Sequence, residues 1–199
     1  MKAWKRRTIW SLLTLITLVS ALVVCVIIYF EMQLPTIQDI KDVHLQVPMR
    51  IYANDGKLIA EYGNQRRTPV HLSDIPKSVV DATLATEDQR YYSHSGIDIL
   101  GLARATVVLA LTGKKEQGGS TITMQVARNY FLTRKKTYTR KLKEILLALK
   151  IDHALSKDKV LELYFNKIFY GTHAYGIAAA AAIYYGEPLK DLTLAQSAM

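Results

Sequence analysis

From Thr8 to Phe30 the chain runs through 23 consecutive positions without a charge. As a helix this run is about 34 Å long, enough to cross a bilayer core with some tilt. Lys2, Lys5, Arg6 and Arg7 precede it, and Glu31 and Asp39 follow. By the positive-inside rule the N-terminus is expected in the cytoplasm and everything after Phe30 outside. A cleaved signal peptide, with Val19-Ser20-Ala21 as the cleavage site, is the rival reading. Leu22 to Phe30 continues the apolar run past that site, which favours an uncleaved anchor. Cys25 raises the thought of a lipoprotein, but Val24 before it is too bulky for the usual small residue.

Beyond the anchor the period changes. Residues 31–46 read as a linker. Val47–Ala53 and Lys57–Tyr62 flank Asn54-Asp55-Gly56, a hairpin signal. From Pro76, placed at a first helical position, the pattern turns helical and runs to about Arg90. Ile99–Thr112 is a strongly apolar helix closed by Gly113, and Gly118-Gly119-Ser120-Thr121 caps another. Thr137–Leu155 reads as a long amphipathic helix, Lys157–Asn166 as a further one, and Gly176–Tyr185 as an Ala-rich helix ended by Gly186. Thr193 and Gln196 have the spacing of a capping box, so a helix is expected to start near Leu194 and the chain to stop at Met199 inside its second turn. A natural domain rarely ends there, and the expectation is a C-terminally truncated fragment. The fold class is mainly α, with an N-terminal transmembrane helix and one small β-hairpin. The expected divisions are a cytoplasmic tail (1–7), the anchor (8–30), a linker and hairpin region (31–75) and a helical domain (76–199).

Composition sharpens this. The 199 residues are 50% hydrophobic with a mean hydropathy of +0.06, which excludes general disorder. One cysteine excludes a disulfide framework and a cysteine-based zinc site. The formal charge is +9, and since all 17 acids and 22 of the 26 basic residues follow Phe30, that part carries +5. Much of the excess lies in Arg128, Arg134, Lys135, Lys136, Arg140, Lys141 and Lys143, with no acid among residues 128–143. Such a belt marks a solvated face or a nucleic-acid site. Outside the membrane nucleic acid is not the expected partner. Anionic headgroups or a phosphorylated lipid are.

Candidate chemistry follows from helical positions. At about 100° per residue, Lys136, Arg140 and Glu144 share one face of the long helix, opposite a core stripe of Leu142, Ile145, Leu146 and Leu149. On spacing alone this is as well explained by a solvated, salt-bridged surface, since Arg and Glu at i and i+4 are common surface pairs. Glu87 follows Thr83 by four positions and Val80 by seven, so it shares a face with less polar residues. A carboxylate there is expected to be partly desolvated and suited to general-base work, the bland alternative being a glutamate at a frayed helix end. Asp88, on another face, suits structural hydrogen bonds. Two glutamates from different helices beside a basic belt point weakly to acid–base work at a sugar.

Four motifs then appear in order. Glu87-Asp-Gln-Arg-Tyr-Tyr-Ser-His-Ser-Gly96 resembles the first motif of the peptidoglycan glycosyltransferases (glycosyltransferase family 51), Glu-Asp-x-x-Phe-x-x-His-x-Gly. Gly119-Ser-Thr-Ile-Thr-Met-Gln125 resembles the second, Arg140-Lys-Leu-Lys-Glu144 the third and Lys157–Asn166 the fourth. The anchor and hairpin region also resemble the start of a class A penicillin-binding protein of the 1A kind. The resemblance implies a lysozyme-like domain, incomplete at its C-terminus over 76–199, that polymerises lipid II into a growing glycan strand at the outer face of the cytoplasmic (inner) membrane. It implies Glu87 as general base on the acceptor 4-hydroxyl, with undecaprenyl diphosphate leaving. Arg128, Lys136, Arg140 and Lys141 would neutralise the leaving diphosphate, and Glu144 would hold those cations or a divalent metal, magnesium or manganese, in place. No cofactor is required by the sequence itself. Ser120, Thr121, Gln125 and Asn129 would hydrogen-bond sugar or phosphate, and Asp88, His94 and Gly96 would shape the first motif. Tyr164 and Asn166 would brace the floor. The apolar helix Ile99–Leu111 would meet lipid tails. Met124 stands where the family has glutamine, which is expected to remove one hydrogen bond from the cleft. The competing classes are a lysozyme-like peptidoglycan hydrolase or lytic transglycosylase, which needs no basic cleft, and an inactive membrane-anchored fragment.

Overall fold

The computed structural model describes residues 2–43, 48–62, 67–114, 118–133, 135 and 137–199. The chain divides into two units, Met1–Pro35 and Thr36–Met199. The first is a single helix, α1 (Lys2–Glu31), of which Arg7–Glu31 is long and apolar enough to cross a membrane. Its apolar side chains are exposed along its length, from Ile9 through Leu18 to Ile28.

In the second unit, residues 37–41 form a short helix, α2 (Ile37–Lys41), inside the expected linker. Its signal was present in the sequence: Thr36 and Asp39 make a reciprocal capping box. Ile40 is buried where α2 packs on the later helix Tyr138–Ala154. The expected hairpin follows as β1 (Met49–Tyr52) and β2 (Leu58–Tyr62), antiparallel with a register irregularity at Ile51/Tyr52. Gly56 takes φ +81° in the turn, where a β-carbon would be strained, and Asp55 accepts from the Lys57 amide at 3.1 Å. Val47, expected to open the first strand, lies outside the described residues, as do Gln46, Arg134 and Lys136.

The helical body begins with α3 (Lys77–Glu87). Pro76 is its N-cap rather than its first helical residue, and the helix stops at Glu87 instead of continuing to Arg90, because Asp88 turns away to φ −160°. A 3-10 turn (Tyr91–Ser93) leads to α4 (Ile99–Thr112), capped by Asp98 and ended by Gly113 in the left-handed region. Next come α5 (Ile122–Phe131), α6 (Tyr138–Ala154) and α7 (Lys157–Lys167), each with a Ser or Thr N-cap. The chain then forms β3 (Phe169–Gly171), β4 (Ala174–Tyr175), α8 (Ile177–Tyr184) and α9 (Leu194–Ala198). Thr193 and Gln196 make the expected capping box of α9.

The core is built on α5, whose residues 122 to 127 are all buried between α6 and α7. α7 supplies Val160, Leu161, Leu163 and Phe165, and α6 supplies Leu147, Ala148 and Ile151. This overturns the expected core stripe of α6. Leu149 is 44% exposed, and Leu142, Ile145 and Leu146 are only half-buried, whereas Glu144 is 0% exposed. The helix turns its most apolar stripe away from the core because its other face carries a paired carboxylate and a small residue, Ala148, that admits close packing. A second hairpin, β3–β4, was missed. Its turn residues Thr172 and His173 have φ of 43° and 60°, the left-handed geometry of a two-residue turn usually built from Asn and Gly. The Tyr184 hydroxyl braces it, donating to the Tyr170 carbonyl at 2.6 Å and accepting from Thr172 at 2.9 Å.

Candidate active site

Because α3 ends at Glu87, this carboxylate stands at a helix terminus and is exposed rather than desolvated as the helical face had suggested. It lies at the boundary of two cavities. One, of about 450 Å³, is lined by Glu87, Arg90, Asp98, Arg104, Gly119 and Ser120 among others. The second, of about 570 Å³, is lined by Glu87 with Tyr164, Tyr170, Tyr184 and Tyr185. Glu87 Oε2 accepts a hydrogen bond from Gln125 Nε2 at 2.7 Å.

The segment carrying Glu87 is fixed from three helices. Asp88 accepts from the Ile122 amide at the start of α5 (3.0 Å), a position where the helix dipole favours a negative charge, and from His94 Nε2 (2.9 Å). Thr121, the α5 N-cap, accepts from the Met124 amide and donates to the Gly96 carbonyl at 2.6 Å. Gly96 has φ +77°, and a β-carbon there would lie 2.6 Å from the Ala148 carbonyl oxygen. Lys157 donates to the His94 carbonyl (2.6 Å) and to Asp152 (2.5 Å), and the Tyr91 hydroxyl donates to the Lys157 carbonyl at 2.7 Å. Asp88, His94 and Gly96 therefore occupy places that shape the loop.

The cations gather around Glu144. Arg140 Nη1 donates to its Oε2 at 2.5 Å, and Lys141 Nζ donates to its Oε1 at 3.0 Å and to Ser120 Oγ at 2.8 Å. Arg128 Nη1 stands 4.0 Å from the same carboxylate, and its Nη2 reaches Gln125 Oε1 at 3.4 Å. Glu87, Gln125, Arg128, Glu144, Arg140, Lys141 and Ser120 thus form one connected set drawn from three helices and a loop. The solvated salt-bridged surface is excluded for Glu144, since a wholly buried carboxylate depends on its cations.

Other residues fall elsewhere. Thr121 is buried with its hydroxyl committed to the protein, so it is a cap and not a free donor. Met124 is 0% exposed in the core, so its presence takes no hydrogen bond from the cleft. Asn129 is half-buried on α5. Asn166 accepts from the Val70 amide and donates to the Val70 and Glu162 carbonyls, tying the chain before α3 to α7. Tyr164 and Tyr170 line the second cavity. Burial, with the negative charge of Glu87 beside them, pushes both phenols far above their ordinary range, so they remain neutral donors. The sequence reading missed Tyr170, which sits in the unread hairpin, and Arg104, whose isolation in the apolar α4 was a visible signal. It also missed Arg67, a buried cation 5.6 Å over the Tyr175 ring.

Among the described residues no group of three or more His, Cys, Asp or Glu side chains is placed to hold a metal ion. Both Glu144 oxygens are engaged by cationic side chains, a donor set that does not fit a resident divalent metal.

A buried carboxylate that gathers cations beside an exposed carboxylate in a mainly helical body defines a site for chemistry with an anionic group. The transglycosylase family model matches residues 55–199, and the chain belongs to this family. It is 48% identical over 190 residues to penicillin-binding protein 1A of Pseudomonas aeruginosa, covering 96% of this chain and 23% of that protein. It is 51% identical over 171 residues to penicillin-binding protein 1A of Escherichia coli K12, covering 86% and 20%. Against the crystal structure of penicillin-binding protein 1A from Haemophilus influenzae the identity is 32% and the TM-score 0.35, covering 78% of this chain and 14% of that one. The chain spans about a fifth to a quarter of the length of the curated relatives it matches.

Proposed function

We propose that this chain is a peptidoglycan glycosyltransferase of cell wall synthesis that polymerises lipid II. The observation that carries the reading is the connection of Glu87, by hydrogen bonds through Gln125 to Arg128 and by a 4.0 Å ion pair from Arg128, to the cation cluster around Glu144. Glu87 takes the proton from the acceptor 4-hydroxyl of N-acetylglucosamine as that oxygen attacks C1 of the donor N-acetylmuramic acid. The bond from C1 to the diphosphate oxygen breaks, the α linkage inverts to a β-1,4 bond, and undecaprenyl diphosphate departs. Its negative charge is met by Arg128, Arg140 and Lys141, with Lys136 from the adjoining segment, so cations do the work that a general acid does for a poorer leaving group. Glu144 holds the cations together.

The anchor fits this role as a single inner-membrane span with the N-terminus in the cytoplasm and the helical domain on the periplasmic face. Ile99, Leu100, Val107, Leu109 and Leu111 of α4 are exposed apolar side chains on a helix too short to span, suited to the acyl region beside the cavity that Arg104 lines. The partners are then lipid II, the growing strand and the membrane.

Incubating the detergent-solubilised protein with labelled lipid II tests the reading. Glycan polymer is the expected product. Released muropeptides would show a hydrolase or lytic transglycosylase instead, and no conversion would overturn the enzymatic reading.

A further inference from the structure

We propose that Gln125 is a positioning residue that tethers the Glu87 carboxylate through Arg128, and that capture of the anionic leaving group by Arg128 loosens the tether and frees the base. The proposal rests on the transferase reading above. Chemistry alone fixes the orientation of the Gln125 amide. A carboxylate only accepts and a guanidinium only donates, so the amide nitrogen must face Glu87 and the amide oxygen Arg128. The two bonds are unequal: 2.7 Å to Glu87 and 3.4 Å from Arg128, the latter at the outer edge of a hydrogen bond.

Arg128 is also the most loosely held cation of the cluster. Arg140 lies 2.5 Å from Glu144, and Lys141, though as exposed as Arg128, is held at 3.0 Å with Ser120 as a second partner, while Arg128 stands at 4.0 Å. An incoming diphosphate therefore competes for Arg128 first. Gln125 is only 8% exposed, so its oxygen cannot readily exchange the lost guanidinium for bulk water. The amide turns to find another donor, and the short bond to Glu87 weakens. The Oε2 lone pair relieved of that donor is open to the acceptor hydroxyl. The base would then be fully available only when the leaving group is in place, which limits futile attack by water on a half-filled site.

Two measurements test this. In ¹⁵N-labelled, detergent-solubilised protein, the Gln125 side-chain amide signals are identified by their loss in Gln125→Met, which keeps the length and removes both hydrogen-bonding groups. Titration with inorganic diphosphate should move these signals in the wild type and leave them in place in Arg128→Ala. Signals that stay still in the wild type, or move equally in Arg128→Ala, overturn the proposal. On lipid II, Gln125→Met and Arg128→Ala should be coupled, with the double variant within about tenfold of the worse single one. Multiplied losses overturn it. A merely structural Gln125 would lower the melting temperature without this coupling. Should the wild type fail to polymerise lipid II, the transferase reading falls, while the diphosphate titration still decides the tether.

Discussion

Glu87 and Arg140 show how differently two polar residues of one site are supported. Glu87 is exposed at the end of α3 and, among the described residues, makes a single side-chain bond, to Gln125. Replacing it by Gln should leave the melting temperature nearly unchanged and lower polymerisation by ~10²–10⁴-fold, the usual contribution of a general base. Retention of more than half the turnover on lipid II would remove Glu87 from that role. Arg140 carries a different load. The helical wheel placed it on a solvated face, where its loss would cost little folding energy. Its side chain is in fact 15% exposed and bonded to a carboxylate with no exposure at all. Arg140→Ala should therefore cost about 1.5–3 kcal/mol of stability, the range for a hydrogen bond to a charged group, as well as lowering turnover. Chemical denaturation of the two proteins separates this from the activity loss. Lys141→Ala, at 33% exposure, should be milder in stability.

Among the elements, α4 has its whole character written in its sequence. Asp98 caps it by accepting from the Gly101 amide at 2.9 Å, and Arg90 pairs with the same oxygen. The Arg90 hydrogen bond, assisted by the Gly101 amide, holds Asp98 below the ordinary carboxylate range in spite of some burial. A lowered folded value stabilises the cap fully above the unfolded pKa of ~3.9, and the contribution is lost as pH falls through the folded value. The Gly101 amide shift should thus titrate with a midpoint below that of a free aspartate, and Arg90→Ala should return it upward. An unchanged midpoint in Arg90→Ala would exclude the pairing as the cause. Farther along, Leu111 is 81% exposed. Leu111→Trp, in a protein whose Trp4 and Trp10 are replaced by Phe, should alter stability by no more than ~0.5 kcal/mol. Its fluorescence should be quenched by brominated acyl chains in vesicles. Absence of quenching would place α4 away from lipid.

For the Thr36–Met199 body taken whole, the narrowest of the contacts that hold the loop after Glu87 to the core is at Gly96. Gly96 sits against the Ala148 carbonyl of α6 while its own carbonyl accepts from Thr121 of α5. Gly96→Ala must strain a φ of +77° and place its β-carbon 2.6 Å from a backbone oxygen that cannot move without α6. It should cost well over ~1 kcal/mol and disturb Glu87 and Glu144 together, since the two lie on elements joined at this point. Thermal denaturation and lipid II turnover in the same sample check this, and a fully active, equally stable variant would show that the contact is dispensable.

The extents of α4, α6 and α7, the Gly113 end of α4, the cap of α5 and the capping box of α9 were legible because helix ends are decided by residues within one turn. The apolar run of α1 and the order of four motifs were equally local facts. Contact between distant residues was not local. The direction in which α6 faces depended on Lys141 reaching Ser120 and Arg128 approaching Glu144 on the side where Ala148 meets Gly96, a balance that hydrophobic periodicity does not weigh. Thr121 and Met124 looked like cleft residues beside a motif glutamine. Only the burial of α5 between α6 and α7 made the first a cap and the second core. Sequence by itself determined the longer helices and which residue types could act on an anionic group. Tertiary structure decided which of those residues meet, because a buried charge is stable only where packing brings its partners within hydrogen-bond distance.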